Sequence, residues 1–121
     1  MFVRTTYRST EAEIMDNLSM EGEMLRKTLD QIAAINKWLG GNKATIQGLH
    51  TLLRSAPAGS TISIIDLGCG SGDMLRAVAE YGRKNNYIFK LTGIDANEFT
   101  VNYARKLSAN YPEIRYLKMD V

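Results

Sequence analysis

Residues 64–73, IIDLGCGSGD, constrain this chain more than any other stretch. They close a short, isoleucine-rich run, Thr61 to Asp66, of the kind that forms a buried strand. Gly68, Gly70 and Gly72 follow at alternate positions, and Asp73 opens a segment with Leu75, Val78 and Ala79 at helical spacing. A strand that turns at once into a helix leaves backbone N–H groups at the helix N-terminus, where the helix dipole adds to their pull on electron-rich atoms. Glycines remove the side chains that would keep a ligand away from that backbone. The loop is therefore a candidate floor for a nucleotide-like ligand, at the carboxyl end of a strand, where open α/β sheets bind.

The downstream pattern extends this unit. Ile88 to Asp95 reads as a second strand. Glu98 to Asn110 reads as a helix with Val101, Ala104 and Leu107 on one side, Pro112 breaks it, and Ile114 to Asp120 is a third strand. Strands alternating with helices predict a parallel sheet. Upstream, Leu25, Leu29, Ile32, Ile35 and Leu39 form one stripe of a helix over residues 20–39, which Gly40 and Gly41 end. Asn42 is placed to cap the next helix, striped by Ile46, Leu49, Leu52 and Leu53 and ended by Pro57 and Gly59. Thr10 and Glu13 fit a capping box for a short helix from Glu11 to Leu18, after an extended or mobile arm over residues 1–10. The expected organisation is a helical segment, 1–58, and a sheet-forming segment, 59–121.

Spacing narrows the ligand. Dinucleotide folds use G-x-G-x-x-G, with the pyrophosphate on the helix end. Here the third glycine comes one residue early, giving D-x-G-x-G-x-G, and Asp66 and Asp73 flank the loop. Two carboxylates suit a pyrophosphate poorly and an amino group well. S-adenosylmethionine carries an amino group and a sulfonium, and no phosphate.

DLGCGSGD resembles the first motif of class I S-adenosylmethionine-dependent methyltransferases. LTGIDAN at 91–97 is similar to their second motif and LKMDV at 117–121 to their third, in the family's order and spacing. The resemblance implies a Rossmann-like α/β fold and a set of cofactor contacts. Asp66 would hold the amino end of the methionine moiety, and Gly68 and Gly70 would let the backbone approach it, with Cys69 and Gly72 completing the loop. Asp95 would accept from the two ribose hydroxyls, Ala96 and Asn97 would border the adenine, Asp120 would accept from the adenine amino group, and the Val121 N–H would meet a ring nitrogen. EIMDN and LRKTLDQIAAINKWLGG resemble the N-terminal helices of the ubiquinone/menaquinone-methylase-like group, which implies a small-molecule methyl acceptor and helices that help close the site.

Other features read more plainly. Cys69 reads as packing rather than a nucleophile, and His50 as a partly exposed helix residue. Trp38 is expected to pack the N-terminal helices together, and Met15, Met20 and Met24 to fill gaps. No catalytic base is assigned, and no His/Cys/Asp/Glu cluster has metal spacing. The net charge of +2 gives no electrostatic footprint for nucleic acid. One cysteine rules out an internal disulfide and favours a reducing, cytoplasmic setting. No apolar run approaches the ~20 residues of a membrane span. Two other readings remain open: a nicotinamide-dependent oxidoreductase, and a non-catalytic binding or assembly module of the same fold.

The family's sheet has seven strands. At ~30 residues per β-α-β step, the 121 residues here are expected to be an N-terminal portion, truncated after the third strand and inactive alone. With family strand order 3-2-1, the far edge of the first strand lacks its neighbour. Both crossover helices fall on one face of the sheet. An open apolar edge and a bare face predict self-association, most simply as a two-fold dimer.

Overall fold

The computed structural model describes residues 22–38 and 40–120, and all side chains among them except that of Trp38. The expected arm, capping box and first short helix, the packing of Met15, Met20 and Trp38, and the Val121 contact lie outside the described residues. Seven elements follow in order: α1 (Gly22–Trp38), α2 (Gly41–Leu53), β1 (Thr61–Leu67), α3 (Asp73–Lys84), β2 (Ile88–Asp95), α4 (Glu98–Leu107) and β3 (Ile114–Lys118).

The three strands are parallel in the order β1-β2-β3, with Ile64 opposite Leu91 and Leu91 opposite Ile114. One face carries Phe89, Leu91, Ile114 and Tyr116, all buried beneath Leu75, Val78 and Ala79 of α3 and Val101 and Ala104 of α4. Both crossover helices thus lie on that face, as the handedness of parallel connections requires. Ile46, Leu49 and Leu53 of α2 pack against the same cluster beside Ile62 and Ile64. Three further contacts tie the N-terminal helices to the rest. The Tyr87 hydroxyl donates to the Leu53 carbonyl (2.8 Å), the Tyr103 hydroxyl donates to Asp30 Oδ1 (2.7 Å), and Gly22 lies close against the Phe99 ring.

The opposite face is bare among the described residues. Ile65, Leu67 and Ile88 are 64%, 59% and 54% exposed, although each is a strand residue. A groove of about 530 Å³ runs across this face, lined in part by Ser63, Ile65, Lys90, Thr92 and Arg115. No described strand pairs with the far edge of β1. These are the conditions from which self-association is expected.

Local chemistry moves four of the boundaries and stripes. Gly40, in the left-handed region at φ 79°, donates to Lys37 O (3.2 Å) and accepts from Ala44 N–H (2.9 Å), so the backbone there closes α1 and starts α2. Asn42 is therefore not the cap. Within α2, Leu52 is 77% exposed because Ile46, Leu49 and Leu53 take the inward side. In α4 the helix stops at Leu107, itself 41% exposed, because Ser108 N–H folds back to the Ala104 and Arg105 carbonyls and closes the last turn before Asn110. Ile35 of α1 is likewise exposed.

The C-terminal end of α3 is fastened to the start of β3. Arg83 forks onto Glu113 (2.8 and 2.7 Å) and also donates to Asn110 O (2.9 Å). The Arg83 hydrogen bonds hold the Glu113 carboxyl below its usual range, against an opposing effect of burial.

Candidate cofactor-binding site

β1 and β2 end side by side, with Leu67 opposite Ile94. The chain leaving β1 curls over the end of β2: the Gly68 and Cys69 amides both donate to the Ile94 carbonyl, at 2.7 and 3.0 Å. The next amide, Gly70, donates to Asp95 Oδ2 (3.2 Å), and Asn97 N–H donates to Asp95 Oδ1 (3.0 Å). The Asp95 carboxylate is thus held at both oxygens by backbone. A carboxylate oxygen can accept two hydrogen bonds, so each retains capacity for a further donor.

The loop glycines have φ of 71°, 57° and 83° at 68, 70 and 72. Gly72 is constrained twice. Its φ disfavours any L side chain, and a Cβ there would overlap the Tyr116 hydroxyl. The loop also rests on Cys69, which is fully buried and donates weakly to the Gly70 carbonyl (3.6 Å). Cys69 is a packing residue with no access to solvent. The space for it comes from Gly93 in β2, where a Cβ would lie 2.8 Å from the Cys69 sulfur and 2.7 Å from the Tyr116 ring. Gly93 is a positional requirement of the site that motif reading passes over. Its signal is a glycine inside a strand, which often marks a close approach.

The remaining expected site residues collect at the same end of the sheet. Asp66 is half-buried, one residue before the end of β1 and opposite Gly93. Ala96 is exposed. Asn97 caps α4, its Oδ1 accepting from the Thr100 N–H (2.9 Å) and hydroxyl (3.1 Å). Met119 N–H donates to the Asp95 carbonyl (3.0 Å), which sets the exposed Asp120 beside the Asp95–Asn97 turn. Asp73 is half-buried at the first position of α3.

One contributor was unforeseen. Asn42 of α2 points Nδ2 at Asp73 Oδ2 (3.4 Å), and its Oδ1 is buried without a hydrogen-bond partner among the described residues. The N-terminal helices therefore meet the glycine loop at one polar point. His50 lies elsewhere on α2, exposed, with Nδ1 3.3 Å from the Tyr81 hydroxyl.

The electrostatics follow from these contacts. Asp66, Asp73, Asp95 and Asp120 surround a loop whose amides at Gly68, Cys69, Gly70 and Gly72 already bond to protein oxygens. A phosphate needs those amides and is repelled by those carboxylates. A ligand with amino and hydroxyl donors meets both conditions. Beneath the loop, burial pushes the Tyr116 hydroxyl's pKa up, while a hydrogen bond with Ser108 pulls it the other way.

Residues 58–116 match the model of a family described as a methyltransferase domain. The match covers just under half of the chain, and the fold of this segment is the Rossmann-like one of methyltransferase domains. Solved structures show the same fold. The chain is similar to the DszA carbon methyltransferase (TM-score 0.58, 17% identity, over 76% of this chain and 26% of that one). It is also similar to the CurJ carbon methyltransferase (TM-score 0.56, 15% identity, over 65% and 20%). A third similar structure is an S-adenosyl-L-methionine-dependent methyltransferase from Methanococcus maripaludis, described as putative (TM-score 0.52, 22% identity, over 78% and 41%). The chain thus spans between 20% and 41% of the length of these structures. No curated protein matches it by sequence. Three parallel strands with helices before the sheet are the Rossmann-like arrangement expected of a class I methyltransferase. No described helix is long and apolar enough to cross a membrane.

Proposed function

We propose that the chain supplies the S-adenosylmethionine site of a methyltransferase that acts on a small-molecule acceptor. The observation that carries this reading is the Asp95 carboxylate, fixed by the Gly70 and Asn97 amides with acceptor capacity left on both oxygens. Two adjacent hydroxyls of a ribose are the donors that such a group fits. Asp66 takes the amino end of the methionine moiety, and the side-chain-free loop at Gly68 and Gly70 lets that moiety lie against backbone. Ala96 and Asn97 border the adenine, and Asp120 accepts from its amino group. Bound S-adenosylmethionine supplies an electrophilic methyl group on sulfonium. The residues of this chain contribute orientation and a dry floor, which is most of what an in-line transfer requires. A general base is needed only where the acceptor keeps its proton, and no described residue is assigned that role.

The small-molecule acceptor is supported by the helices before the sheet, which pack beside α3 and α4 and reach Asp73 through Asn42. The nicotinamide alternative is disfavoured by the bonded loop amides and by Asp73 at the helix start. Calorimetric titration separates the two. S-adenosylhomocysteine should bind and NAD should give no heat, whereas NAD binding with silence from S-adenosylhomocysteine would reverse the assignment. Self-association through the bare sheet face belongs to the same proposal. Sedimentation at micromolar concentration should give a dimer, and a well-folded monomer would remove it.

A further inference from the structure

A polar chain of side chains reaches the glycine loop at Ser71 and Gly72. Arg76 Nη1 donates to the Ser71 carbonyl (2.7 Å) and to Ser108 Oγ (3.0 Å), and Ser108 Oγ bonds the Tyr116 hydroxyl (2.7 Å). Ser71, Ser108 and Tyr116 are 4%, 6% and 4% exposed. The Tyr116 hydroxyl sits where a Cβ of Gly72 would be. Arg76 makes no ion pair among the described residues, so a guanidinium is half-buried here on neutral oxygens.

Packing alone does not call for this arrangement. Phenylalanine at 116 and an aliphatic residue at 76 would fill the space without half-burying a charge, which costs free energy unless its hydrogen bonds are met. What the polar chain adds is direction. Ser71 lies between Gly70, whose amide is held by Asp95, and Gly72, which rests on Tyr116. Arg76 donates to the Ser71 carbonyl, so the loop is held at three successive residues, 70, 71 and 72.

We infer that Arg76, Ser108 and Tyr116 are positioning residues that hold the glycine loop in its ligand-ready shape. The inference rests on the proposed cofactor site for its functional meaning, but the loop's rigidity can be read without ligand. Tyr116→Phe keeps the ring and removes the hydroxyl. Ser108→Ala breaks the chain at its centre, and Ser108→Thr restores a hydroxyl. Amide hydrogen exchange at Gly70 and Gly72 should rise roughly five- to tenfold in Tyr116→Phe, the equivalent of one neutral hydrogen bond. It should rise at least as much in Ser108→Ala and return towards the parent value in Ser108→Thr. Exchange at Leu91 and Gly93 in the sheet should not change. Affinity for S-adenosylhomocysteine should fall by a similar factor in the first two variants. Unchanged loop exchange, or an equal rise at Leu91 and Gly93, would overturn the positioning role. Absence of S-adenosylhomocysteine binding by the parent chain would instead overturn the cofactor reading, while the exchange data still decide the positioning.

Discussion

Asp95→Ala should weaken S-adenosylhomocysteine binding by about 100-fold or more. The carboxylate is proposed to accept from two ribose hydroxyls, and hydrogen bonds to a charged group contribute ~1.5–3 kcal/mol each. Losing both is ~3 kcal/mol at the least, and each 1.4 kcal/mol is tenfold in affinity. The same substitution releases the Gly70 and Asn97 amides, so the loop also loses its anchor at Gly70. Asp95→Asn separates the two effects. Its single carbonyl oxygen can keep two of the four acceptor contacts in place, one amide and one hydroxyl, so its affinity should fall between parent and alanine. Calorimetry on the three proteins reads this directly, and equal affinities across them would remove Asp95 from the site.

Gly72→Ala should be among the most destabilising single substitutions in the chain. The new side chain would occupy left-handed backbone, at roughly 1–2 kcal/mol. It would also overlap the Tyr116 hydroxyl in a packed interior, where overfilling costs about 1–3 kcal/mol. The sum is ~2–5 kcal/mol, a large share of what a small domain has. The backbone and steric parts can be told apart. With Tyr116→Phe in the background the overlapping oxygen is gone and the nearest remaining atom is Cζ at 2.9 Å, so part of the loss should return while the backbone part stays. Urea unfolding of the single and double variants measures both. A Gly72→Ala protein within ~0.5 kcal/mol of the parent, the range of an ordinary surface change, would mean that the loop relaxes away from Tyr116.

The elements around the glycine loop were legible because their signals are local. The isoleucine run, the three glycines and the periodic Leu75, Val78 and Ala79 lie within nineteen consecutive residues, 61–79; α3 begins, and β2 begins and ends, where the pattern places them. Asp95 was legible as the last residue of the second strand, and its proposed role came from the resemblance of LTGIDAN to a family motif. The misses came from groups that answer to distant partners. Asn42 looks like a helix cap in isolation, but Gly40 performs that role and Asp73, thirty-one residues on, takes the side chain. Leu52 has the right spacing for the core, yet three neighbours on α2 already fill the inward side. The α4 terminus depends on Ser108, whose hydroxyl is in turn committed to Arg76 and Tyr116. No local pattern announces a chain of three polar residues at 76, 108 and 116. The loop chemistry also went beyond the local reading in one respect. The loop amides of Gly68, Cys69, Gly70 and Gly72, on which the local reading was silent, are bonded to Ile94, Asp95 and Cys69, and this bonding argues against a phosphate held by the loop itself.

The central claim is the location of the cofactor, and the S-adenosylhomocysteine titration tests it most directly when followed residue by residue on the isotope-labelled chain. The amides of Gly70, Gly72, Ala96 and Asn97 should shift together with one dissociation constant, while those of Ser63, Ile65 and Lys90 on the bare face should stay in place. Shifts confined to the bare face, with the glycine loop and the Asp95–Asn97 turn unmoved, would contradict the account.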